Sequence, residues 1–90
     1  MFQTGFNFSI QMQDKKEFIK EQVKLLAFKN VTDDEALLSS KTLDSIIAVD
    51  LAVSLEEEFK IKIPFTEINE ENFDTVNRIA AYLSKKETTC

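Results

Sequence analysis

Leu43-Asp44-Ser45-Ile46-Ile47-Ala48-Val49-Asp50-Leu51-Ala52-Val53-Ser54-Leu55-Glu56-Glu57-Glu58-Phe59 decides the fold. At about 100° per residue, Ala48, Leu51, Ala52, Leu55 and Phe59 fall in one arc about 100° wide, the stripe a helix turns toward a core. The spacing predicts a helix over Ser45 to Phe59, with Asp44 as its N-cap. Ile46, Val49 and Val53 form a second apolar arc roughly opposite the first, flanked by Asp50, Glu56 and Glu57. A helix in a small domain does not easily bury both faces. Single surface valines are common, but this strip adjoins Ser45 and is edged with acids, so it is expected to dock basic partners.

Ser45 opens that helix, where unpaired backbone N–H groups and the positive end of the helix dipole would stabilise a phosphate ester on its hydroxyl. Asp-Ser before an apolar run is equally a good helix start. The dipeptide alone therefore leaves both a modification site and a plain cap open.

Upstream, Ile19, Val23 and Leu26 recur at helical spacing, widened by Phe18 and Leu25, and predict a helix from Asp14 to about Phe28. Asp14 with Glu17 three residues on is the expected cap. In Met1 to Gln13, Phe6, Phe8, Ile10 and Met12 alternate with polar residues at period two, the pattern of a strand. An isolated strand is marginal. Residues 1–13 are therefore read either as a disordered or loosely docked extension or as an edge that pairs with another chain. Residues 30–42 are rich in Ser, Thr and Asp, and predict a long loop with Val31, Leu37 and Leu38 against the core and a short helical turn after Thr32-Asp33.

Downstream, Ile61 and Ile63 are expected to seal the base of the core before Pro64 stops regular structure. Residues 65–73 read as an irregular connection with one helical turn around Glu67 to Glu71. Asp74 or Thr75 caps a last helix in which Val76, Ile79, Ala80 and Leu83 keep the core spacing and Lys85 and Lys86 suit the C-terminal end. The expected organisation is an extension over 1–13, one domain over 14–86 and a flexible tail over 87–90.

The inventory excludes most chemistry. Ninety residues with one glycine and one proline favour a single all-α domain. There is no histidine, so Ser-His and Cys-His dyads and histidine-built zinc sites are impossible, and the lone Cys90 has no base fixed nearby. Runs such as Glu56-Glu57-Glu58 diverge around a helix, and neither an EF-hand loop nor a phosphate-binding glycine loop is present. No metal site is expected, and the protein is not expected to be an enzyme. A net charge of −5 argues against nucleic acid. With no visible membrane span or secretory signal, a cytoplasmic monomer is expected.

Taken together, Leu43-Asp44-Ser45-Ile46, Val49-Asp50-Leu51, Leu55-Glu56-Glu57-Glu58-Phe59 and Ile61-Lys62-Ile63-Pro64 closely resemble the acyl carrier protein family over about residues 15–86. The resemblance implies an up-down bundle of three main helices plus one short helix. It implies that Ser45 receives 4′-phosphopantetheine from coenzyme A through a phosphopantetheinyl transferase, beside Asp44 as the adjacent motif residue. It further implies a thiol-ended arm that holds acyl or aminoacyl groups as thioesters. Asp50 and Glu57 match acidic positions, and Ile46, Val49 and Val53 apolar ones, with which the family meets basic patches on acyl-loading and acyl-transferring enzymes. Two features depart from fatty-acid carriers: Ser40-Lys41-Thr42-Leu43 lacks a glycine before Asp-Ser, and Ile47 stands where many have an acid. Glu70-Glu71-Asn72-Phe73-Asp74-Thr75-Val76 looks more like stand-alone carriers of specialised pathways, including D-alanyl, peptidyl and polyketide carriers. The competing reading is a non-catalytic interaction module of the same fold that is not modified.

Overall fold

The computed structural model describes the backbone of residues 7–88 and the side chains of residues 14–86. Among the described residues four helices follow one another: α1 (Asn7–Ala27), α2 (Ser45–Phe59), α3 (Glu70–Phe73) and α4 (Val76–Thr88), with a 3-10 turn over Phe65–Glu67. Three are long and one is short, as the resemblance implied. Among the described residues there is no strand.

Helix α1 packs on both α2 and α4, and α3 packs on α4. The core forms where their stripes meet: Ile19 and Val23 of α1; Ala48, Leu51, Ala52 and Leu55 of α2; Val76, Ile79, Ala80 and Leu83 of α4. Each fully buried Val, Leu or Ile side chain contributes about 1.5–3 kcal/mol, and the alanines less. Phe59 closes the lower end of the α2 stripe half-buried, its ring edge-on to Phe18 at 5.6 Å.

Helix α1 begins earlier than its pattern predicts. It is continuous from Asn7 through Asp14, so Asp14 lies inside the helix and the period-two reading of Phe8, Ile10 and Met12 does not hold. No glycine or proline interrupts residues 7–27, and alternation over so few residues does not outweigh helix propagation. Phe6 lies outside the described residues. Leu25, expected to widen the apolar stripe, is 59% exposed, whereas Lys15, one turn before Ile19, is buried with its ammonium 5.9 Å from the Phe59 ring centre. The lysine stem serves there as core surface.

The long connections are fixed by polar contacts. Lys20 pairs with Asp33 at 2.5 Å, and the Asn77 amide donates to the Asp33 carbonyl at 3.1 Å, tying the segment after α1 to α1 and α4. Residues 30–42 form the expected long loop, with turns at 33–34 and 38–41 and no helix. Val31 and Leu37 are buried and Leu38 packs against the core. Ile63 is buried and Ile61 partly so, in the place their alternation predicts.

Candidate functional site

The site is built at the junction between the 28–44 connection and α2. Asp44 is extended (φ −85°, ψ −178°), and its Oδ1 accepts the Ile47 N–H at 2.9 Å while its carbonyl accepts the Ala48 N–H at 2.9 Å. That is the side-chain cap a helix start requires. Since Asp44 fills this role, Ser45 is not needed as the cap. It stands exposed as the first residue of α2.

The approach to Ser45 is held from below. Asp74 was one of two candidates to cap α4, but Thr75 performs that task, its Oγ1 accepting the Arg78 N–H at 3.0 Å. The Asp74 carboxylate instead accepts the amides of Leu37, Leu38 and Ser39 at 3.2, 2.9 and 2.9 Å. These donors hold its carboxyl below the usual range, the Ser39 amide most strongly and against an opposing effect of burial. Ser40 Oγ closes the next turn on the Ala36 carbonyl at 2.7 Å. Leu37 and Leu43 then anchor the segment, both fully buried, with the Leu43 N–H donating to the Leu37 carbonyl at 3.0 Å.

Between these anchors Lys41 adopts φ 68°, the left-handed conformation that glycine enters without steric cost. The segment before Asp-Ser, which contains no glycine, meets this backbone demand with a lysine.

Ser45 opens onto a groove of about 430 Å³ lined by Leu38, Lys41, Leu43, Asp44, Ser45, Ala48, Phe65 and Ile68. An exposed hydroxyl above a mainly apolar trough fits a long, flexible, covalently attached chain. Phe65, 72% exposed on the 3-10 turn after Pro64, forms part of the wall and has no helical stripe by which the sequence could have placed it.

The strip beside Ser45 faces outward. Ile46 is 72% and Val53 44% exposed, Val49 is half-buried, and Asp50 and Glu57 are exposed. Glu56 differs: its Oε2 accepts the Ile63 N–H at 2.7 Å, and its carbonyl accepts the N–H groups of left-handed Lys60 and of Ile61. It fastens the chain after α2 instead of edging the strip.

Residues 18–83 match the family described as "Phosphopantetheine attachment site". The chain belongs to the acyl carrier protein family. It is 32% identical over 76 residues to a D-alanyl carrier protein of Lactobacillus acidophilus, covering 82% of this chain and 96% of that relative. It is 38% identical to the D-alanyl carrier protein of Streptococcus suis and 39% to that of Streptococcus uberis, covering 73% and 71% of this chain and 86% and 84% of those relatives. As an acyl carrier family member the protein is a carrier and not an enzyme, and its cofactor is covalently attached 4′-phosphopantetheine. It works with a phosphopantetheinyl transferase and with the enzymes it serves. Among the described residues no helix is long and apolar enough to cross a membrane.

Proposed function

We propose that Ser45 is the attachment residue and that the chain presents an aminoacyl or acyl group, as a thioester, to biosynthetic enzymes. The observation that carries this is the exposure of Ser45 at the head of α2 while Asp44 alone caps the helix, over an open groove. When attached, the arm supplies the terminal thiol that this chain lacks in any usable place. The protein's own residues orient it: Asp44 and the buried Leu43 fix the backbone on one side of Ser45, and α2 fixes it on the other.

The relatives bear the name D-alanyl carrier protein, which makes D-alanine the first cargo to test and fatty-acyl, polyketide and peptidyl cargoes secondary. Ile46, Val49 and Val53, edged by Asp50 and Glu57, form the docking face in this reading, and basic patches on the loading and transferring enzymes are its partners.

The test is intact mass before and after incubation with coenzyme A, magnesium and a phosphopantetheinyl transferase, with S45A alongside. The wild type gains one arm and S45A gains none. Subsequent incubation with ATP, D-alanine and a D-alanine-activating ligase adds one alanyl group, released by hydroxylamine as a thioester is. An arm on folded S45A would refute the attachment site; an arm-bearing protein that accepts only fatty-acyl groups would refute the cargo. A wild type that takes no arm would favour the unmodified interaction module.

A further inference from the structure

Between Lys29 and Lys60 the sequence has one cationic residue, Lys41, against eight acidic ones. That cation is on the wall of the Ser45 groove, where it is the one basic side chain beside Asp44 and Ser45. Among the described residues its ammonium makes no ion pair, although Asp44 shares the groove. The backbone at Lys41 stands at φ 68°, where glycine would relieve the conformation. A lysine therefore occupies a costly position, unpaired, at the one place where an otherwise acidic surface receives a further negative charge.

We propose that Lys41 is an anion-positioning residue whose ammonium pairs with the phosphodiester at the root of the arm, an inference that rests on attachment at Ser45. A phosphodiester keeps one negative charge at neutral pH. At the head of α2 that charge meets the capping Asp44 nearby and Asp50 and Glu57 further along the helix. Lys41 offsets this repulsion and draws the root of the arm toward the groove, away from the outer strip of Ile46 and Val53. The lysine side chain, with its four methylenes and three rotatable donors, can follow the ester as the arm moves.

The experiment compares apo and arm-bearing forms of wild type, K41R, K41Q and K41G, each verified by intact mass. Its readouts are the apo-to-holo change in melting temperature at about 0.01 M and about 1 M salt and the phosphorus resonance of the ester. At low salt the wild type and K41R gain roughly 1–4 °C more on modification than K41Q and K41G, as an exposed charge pair in a small domain would give. The difference disappears at high salt, and the ester resonance shifts between wild type and K41Q. K41G is the most stable apo form because it relieves the left-handed backbone, yet it gains least from the arm. Equal apo-to-holo changes and identical ester resonances in all four arm-bearing proteins would overturn the proposal while leaving Ser45 as the attachment residue. Absence of the arm from every variant would instead overturn the attachment reading on which it rests.

Discussion

Asp74 and Ser39 lie 35 residues apart in sequence and are joined by two donors: the Ser39 amide reaches Asp74 Oδ1 at 2.9 Å and its hydroxyl reaches Oδ2 at 3.0 Å. This contact, with the Leu37 and Leu38 amides beside it, fastens the segment leading to Ser45 onto the turn that precedes α4. Replacing Asp74 by alanine leaves the Leu38 and Ser39 amides without their acceptor, whereas the Leu37 amide keeps the residue-74 backbone carbonyl, which it reaches at 2.6 Å. Leu38 is partly covered, so water does not replace the carboxylate there freely. D74A is expected to lose about 1–3 kcal/mol of stability, measured by urea denaturation, with faster amide hydrogen exchange at Leu38 and Ser39 than at Leu37.

The same contact sets a pH dependence. The Asp74 carboxyl is held below the ordinary range in the folded chain, so between its folded and unfolded values the unfolded chain binds more protons. Stability from this group is therefore complete above the ordinary carboxylate range and is lost as pH falls through the lower folded value. The deficit of D74N relative to wild type is expected to be full at neutral pH, to shrink as pH falls from the ordinary carboxylate range toward the folded value, and to level off below it, as followed by denaturation at a series of pH values. A deficit independent of pH would remove the carboxylate's charge from the explanation.

Capping gives a second contrast. Asp44, not Ser45, accepts the Ile47 amide, so the two neighbouring residues separate stability from attachment. D44A is expected to lose about 1 kcal/mol, within the usual range for a lost N-cap. S45A is expected to melt within about 0.5 kcal/mol of wild type, the range of surface substitutions away from such features. Thermal melts of the two variants decide it, and a large loss in S45A would make the serine structural.

The α2 and α4 stripes were legible because single helical periods ran uninterrupted: Ala48, Leu51, Ala52 and Leu55 in one case, Val76, Ile79, Ala80 and Leu83 in the other. Asp44 was legible as a cap because capping is local chemistry. What could not be read depended on partners far away in sequence. Asp74 looked like a cap and instead holds residues 37–39; Glu56 looked like part of an acidic rim and instead holds Ile63. Lys15 was hidden because a buried lysine stem follows the geometry of the core rather than hydropathy. The start of α1 was missed because Phe8, Ile10 and Met12 step by about 200° on a helix and so give the sequence no helical stripe there.

Phe65 and Phe73 lie eight positions apart in a stretch without sustained periodicity, so nothing in the sequence ranks them. In the fold they are opposites. Phe73 is fully buried with its ring 5.5 Å from Tyr82, whereas Phe65 is 72% exposed at the groove. F73A is expected to cost about 3–5 kcal/mol, much of the total stability of a small domain, while F65A changes the melting point little. If the Phe65 wall helps hold the arm, F65A bearing the arm also loses part of any apo-to-holo stabilisation. Calorimetry of both variants in both forms separates these effects.

Glu56 and Glu57 are adjacent, identical in chemistry and opposite in expected consequence. Glu56 holds the Ile63 amide at 2.7 Å, so E56A exposes a half-covered N–H and loosens the segment that carries Ile63 into the core; a loss of about 1–3 kcal/mol is expected. Glu57 is exposed, and E57R is expected to leave stability within about 0.5 kcal/mol while weakening the reaction with a basic partner. V53D and D50R belong with E57R, because Val53 is exposed beside the same acids and neither residue supports the core. The effect of E57R and D50R should fall as salt rises, since it rests on screened attraction, whereas that of V53D should persist. Partner-dependent loading rates measured across a salt series decide between a docking face and an idle surface: three well-folded variants loaded at the wild-type rate would reject the face.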